Sequence, residues 1–115
     1  LFTVETMPVP KELKVNETAE IRCELKREGR WEDARYTIRW FLFDGEGTLK
    51  LDDGTALLPN DRYPLEKETF RLYYTRLSDE QSSFTVWVED SDGQAVELEF
   101  DFNADNDKED GYGTE

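Results

Sequence analysis

Asp101, Asn103 and Asp105 in the run Asp101-Phe-Asn-Ala-Asp105-Asn106 offer oxygen ligands at the first, third and fifth positions of a calcium loop of the EF-hand type. The twelfth position is Tyr112, where such a loop needs a bidentate glutamate, and no helical pattern flanks the segment. No metal ligand is therefore assigned, and the aspartates at the other loop tips, Asp52, Asp53, Asp90 and Asp92, read as turn formers. Other chemistry is scarcer still. The chain has no histidine, which removes Ser-His and Cys-His nucleophiles and most zinc sites. Carboxylates are so abundant that a pair suited to glycoside hydrolysis carries no diagnostic weight, and no phosphate-cradling glycine loop occurs. No catalytic residue and no cofactor is expected, and the chain reads as a non-enzyme.

The remaining candidates are aromatic. Alternation places Phe41, Tyr73 and Trp87 on strand faces opposite the core, and Trp31 falls in a loop. Such side chains can anchor a protein partner or stack on sugars. A competing expectation is that Arg39 covers Trp87 by a cation–π contact if their strands are neighbours.

The elements that must carry these residues are strands. Ser83 to Phe102 is a hairpin: Phe84, Val86 and Val88 share one face, Val96, Leu98, Phe100 and Phe102 share another, and Gly93 closes the Asp-Ser-Asp-Gly turn between them. In 18–27, Ala19, Ile21, Cys23 and Leu25 point inward against charged neighbours. The most apolar run, 35–43, sets Tyr36, Ile38, Trp40 and Leu42 on one face and is expected to be central. Phe70, Leu72 and Tyr74 do the same in 68–75. Segment 2–7 alternates until Pro8 and Pro10, which predict an edge strand that breaks and switches sheets before resuming in 11–15. Short strands at 48–51 and 56–58 are expected to form a small edge hairpin around Asp52-Asp-Gly54. Residues 59–64 read as a turn-rich loop, and 77–82 as a polar link with room for one helical turn. The fold expected is an all-β, immunoglobulin-like β-sandwich of about seven antiparallel strands spanning residues 1–102. Cys23 followed by Trp40 fits that class, but Val86 and Val88 stand where a second cysteine would be, so no disulfide is expected. Residues 103–115, acidic and nearly free of aliphatics, are expected to be a disordered tail.

At 115 residues the chain has the length of one domain. Its 37% hydrophobic and 37% charged shares predict a thin core under a heavily charged surface. The net charge is -14, and 13 of the 28 acidic residues but only one of the 14 basic ones lie beyond Arg76. Such a balance opposes contact with phosphate backbones and anionic headgroups, so neither nucleic acid nor bare membrane is an expected direct partner. It suits a solvated surface, or an acidic patch that steers a basic partner. Cys23 is expected to be a buried apolar residue without reactivity. No run approaches the length of a membrane span. The chain starts at Leu1, so a leader is expected upstream.

The runs Phe2-Thr-Val-Glu-Thr-Met-Pro-Val-Pro-Lys11, Glu20-Ile-Arg-Cys-Glu-Leu-Lys-Arg-Glu28, Leu58-Pro-Asn-Asp-Arg-Tyr-Pro-Leu-Glu66 and Glu68-Thr-Phe-Arg-Leu-Tyr-Tyr74 resemble the TraQ family of conjugative transposon proteins of Bacteroides-type bacteria. The resemblance runs from about Phe2 to Phe102. It implies an exported lipoprotein, tethered by lipid at a cysteine upstream of this chain, in the periplasm or at the outer membrane. It also implies a place in the envelope apparatus of conjugation, acting as a structural or interaction module on other envelope proteins. It supplies no catalytic residues. The interaction surface would be an edge strand or the aromatic set Trp31, Phe41, Tyr73 and Trp87, and the domain is expected to be a monomer. The alternative is a glycan-binding or adhesion module of the same sandwich type on an exported lipoprotein.

Overall fold

The structure, a computed structural model, describes residues 1–104. Its strands are β1 (Phe2–Thr6), β2 (Glu12–Leu13), β3 (Thr18–Arg27), β4 (Tyr36–Asp44), β5 (Gly47–Leu51), β6 (Tyr63–Leu65), β7 (Thr69–Arg76), β8 (Ser82–Asp90) and β9 (Ala95–Ala104). A single turn of 3-10 helix covers Trp31–Asp33. Burial alternates along β3, β7 and β8 as the apolar pattern requires, because successive side chains of a strand point to opposite faces.

Two sheets pack face to face as an all-β sandwich. One has the order β1-β3-β7-β5 and the other β2-β9-β8-β4-β6. Four strands in the order A-B-E-D against G-F-C is the arrangement of a constant-type immunoglobulin sandwich. Here β6 is added beside β4, and the short β2 beside β9. After β1 the chain passes Pro8 and Pro10 and crosses to the second sheet, where β2 pairs in parallel with Asn103 and Ala104. The expected switch of sheets is therefore present. Strand β9 continues to Ala104, and the remainder of the expected tail, 105–115, lies outside the described residues.

The core contains no disulfide, and Cys23 is a buried free thiol. Aromatic packing occupies its place. Trp40 meets Phe84 and Tyr74 edge-on, with ring centroids 5.6 Å and 6.2 Å away, and Tyr74 stacks on Phe84 at 4.6 Å. The indole Nε1 of Trp40 donates to the carbonyl of Leu57 at 2.9 Å.

Two local expectations are corrected, one is met in reduced form, and one buried cation was not anticipated. The hairpin expected around Asp52-Asp-Gly54 forms in minimal form, with Ala56 facing Lys50 as an isolated antiparallel bridge. The Leu51 N–H donates to the Thr55 carbonyl and the Leu57 N–H to the Leu49 carbonyl, both at 2.9 Å, while the Leu57 side chain is buried in the core. The loop 59–64 yields Tyr63 and Pro64 to the edge strand β6, where the missing N–H of proline is tolerated. Segment 77–82 forms no helical turn. Arg76 continues the inward alternation of Phe70, Leu72 and Tyr74 and is fully buried. Its guanidinium donates from Nη1 to the Leu13 carbonyl at 2.6 Å and from Nε to the Glu80 carbonyl at 3.2 Å, so it ties β2 to the chain leading into β8.

Candidate functional site on the outer sheet faces

The four aromatic candidates do not converge. Trp31 lies at one end of the sandwich, where its ring stacks on that of Tyr36 at 4.6 Å with an interplanar angle of 13°. Tyr36 is buried, meets Phe2 edge-on and accepts a hydrogen bond from Arg27 at its hydroxyl, so Trp31 is the cover of a packed aromatic column. Tyr73 sits on the outer face of the four-stranded sheet. There its hydroxyl donates to Glu20 Oε2 at 3.5 Å, beside Arg71, whose Nη1 approaches the same oxygen at 3.0 Å.

Only Phe41 and Trp87 share a face, the outer side of the five-stranded sheet. Register pairs Arg39 with Trp87 and Trp87 with Glu97, which makes a transverse row across β4, β8 and β9. The Arg39 guanidinium lies 4.2 Å from the centroid of the indole, and the indole Nε1 donates to Glu97 Oε2 at 2.8 Å. The cation–π cover expected from the sequence is thus formed. Phe41 stands opposite Thr85 and meets Phe43 edge-on at 5.0 Å.

Phe43, 58% exposed, is the surface aromatic that sequence reasoning left without a role. The signal was present, because it continues the outward series Arg39, Phe41; what concealed its prominence is the register shift between Leu42 and Asp44, which no residue type announces. Beside it a shallow depression of about 350 Å³ is lined by Phe43, Ser83, Thr85, Glu97, Glu99 and Asp101.

Electrostatically the two outer faces differ. On the four-stranded sheet, Glu20 pairs with Arg71 and Arg22, and Glu5 with Lys26. On the five-stranded sheet, Arg62 bonds Glu89 at 2.7 Å and thereby holds the Glu89 carboxyl below its ordinary value. No Lys or Arg of the described residues pairs with Glu97, Glu99 or Asp101 of β9.

Among the described residues, no group of three or more Cys, Asp and Glu side chains is placed to hold a metal ion. Of the calcium-like run, Asp105, Asn106 and Tyr112 lie outside the described residues. Burial pushes the Cys23 thiol up to about 12, so it stays protonated and unreactive at neutral pH. No helix of the described residues is long and apolar enough to cross a membrane.

These features define a disulfide-free, all-β sandwich domain with aromatic and acidic side chains on the outer faces of its sheets. The chain belongs to the TraQ conjugal transfer protein family, whose model matches residues 1–105. It is similar to a conjugative transposon lipoprotein from Bacteroides eggerthii, with 59% identity, a TM-score of 0.84, and 89% of this chain and 96% of that one covered. A lipoprotein from Bacteroides thetaiotaomicron is 58% identical, with a TM-score of 0.84 over 98% of this chain and 87% of that one. A conjugate transposon protein from Bacteroides vulgatus is 47% identical, with a TM-score of 0.81 over 92% and 86% of the two chains. No protein of curated function matches this chain.

Proposed function

We propose that this domain is a non-enzymatic envelope component of a conjugative transposon transfer apparatus, acting as a structural and protein-interaction module. The observation that carries the reading is its family membership, together with a relative described as a conjugative transposon lipoprotein that matches 89% of this chain. By the same reasoning the protein is exported and lipid-anchored through a cysteine upstream of Leu1, on the periplasmic or the outer-membrane side. Its partners are other envelope proteins of the apparatus. A net charge of -14 speaks against direct contact with the transferred DNA. As a sugar platform the aromatics are poorly disposed, because they do not line one surface, and Trp31 and Trp87 each have one ring face already engaged, by Tyr36 and by Arg39.

The test is deletion of the gene from a donor strain, with mating frequency as the readout and gentle crosslinking of the full-length protein to identify what co-purifies. Loss of transfer and recovery of transfer-operon envelope proteins are expected. Normal transfer, or recovery of glycan-handling proteins and polysaccharide alone, would replace this reading by the adhesion module.

A further inference from the structure

Strand β9 is paired on one side only for most of its length. Along its outer edge β2 reaches just Asn103 and Ala104, and among the described residues no strand pairs that edge from Ala95 to Phe102. An antiparallel ladder alternates, so every second residue of β9 turns its backbone N–H and C=O away from β8. The parity is visible at the strand's end, where the Asn103 N–H donates outward to the Lys11 carbonyl at 2.7 Å. Glu97, Glu99 and Asp101 share that parity. They therefore present both an open backbone edge and the row of carboxylates that no cation of the described residues neutralises.

The opposite face of the same stretch is incomplete in a matching way. Val96 and Leu98 point to the core side yet are only half-buried, whereas Phe100 and Phe102 further along are buried. An added strand would cover them. We infer that the β9 edge is a docking site for an extended segment of a partner protein that alternates basic and apolar residues. Its main chain extends the five-stranded sheet, its Lys or Arg side chains lie over Glu97, Glu99 and Asp101, and its apolar side chains close over Val96 and Leu98. A second copy of β9 is a poor occupant, because antiparallel pairing would set carboxylate against carboxylate. The inference deepens the interaction-module reading by naming its surface and the chemistry of its partner.

The test is titration of the isotope-labelled domain with a synthetic peptide that alternates lysine and valine, followed by NMR and amide hydrogen exchange. Shifts along β9, slowed exchange of the Glu97, Glu99 and Asp101 amides, and binding that weakens with salt are expected. Reversing all three charges with Glu97→Lys, Glu99→Lys and Asp101→Lys should weaken the lysine peptide about ten-fold and admit a glutamate-valine peptide instead. Because Glu97 and Asp101 also accept hydrogen bonds from Trp87 and Ser83, Glu99→Lys alone is the second variant, with a loss of about three-fold. No shift at β9, binding indifferent to charge reversal, or a dimer formed through β9 overturns the inference. Peptide binding with normal mating in the deletion strain would keep this docking edge and remove the transfer-apparatus reading.

Discussion

Replacing Trp40 and Trp87 by alanine, one at a time, separates the two faces of the second sheet by their energies. Trp40 is 2% exposed, and its deletion removes a large ring from between Phe84 and Tyr74 as well as the donor to the Leu57 carbonyl. A fully buried aromatic truncated to alanine costs about 3–5 kcal/mol, a large part of the roughly 5–15 kcal/mol that stabilises a domain. Trp87 is half-buried and loses a cation–π contact of about 0.5–1 kcal/mol and one surface hydrogen bond, so a total of about 1–2 kcal/mol is expected. The assay is urea unfolding followed by circular dichroism. With a slope of about 1–3 kcal/mol per molar, the Trp40→Ala midpoint should fall by roughly 2 M and that of Trp87→Ala by under about 1 M. Trp40→Phe gives the intermediate step, since it keeps the ring contacts and leaves the Leu57 carbonyl without its donor, at about 1–3 kcal/mol. Equal losses at Trp40 and Trp87 would refute the assignment of core and outer faces.

Gly47→Ala should destabilise by about 1–3 kcal/mol in the same assay, because a Cβ there would lie 2.2 Å from the Tyr74 hydroxyl and 2.6 Å from the Thr75 carbonyl oxygen. Stability should fall as pH rises from about 9 toward 12: the folded Cys23 thiol is pushed up to about 12, and burial raises Tyr74 as well, so the unfolded chain loses these protons first. Cys23→Ala should flatten part of that slope, and native Cys23 should resist thiol reagents at pH 8 until denaturant is added. Arg62→Ala should raise the Glu89 titration midpoint seen by NMR. The Glu89 contribution is present above the ordinary carboxylate range and lost as pH falls through the depressed folded value, and with Arg62 largely exposed it amounts to under about 1 kcal/mol.

What could be read from the residues themselves was whatever a period of two encodes. The hairpin of β8 and β9, the inward sets of β3, β4 and β7, the break at Pro8 and Pro10 and the missing disulfide all follow from local alternation and residue type, because a half-buried strand must place its apolar side chains on one side. The likeness to the TraQ family was carried by four particular runs of residues and not by their alternation, and the family match covers residues 1–105. Alternation says which side of a strand is dry; it does not say which sheet the strand joins or who stands beside it. That the short hairpin ends with the Leu57 carbonyl accepting from the Trp40 indole depends on a contact between residues far apart in the chain. The burial of Arg76 rests on the Leu13 carbonyl, and the closure of Trp87 on Arg39 from a neighbouring strand. The open edge of β9 likewise exists only because β2 is two residues long and pairs at the strand's far end. Register and sheet partnership are set by distant segments meeting in space, and only the tertiary structure decides them.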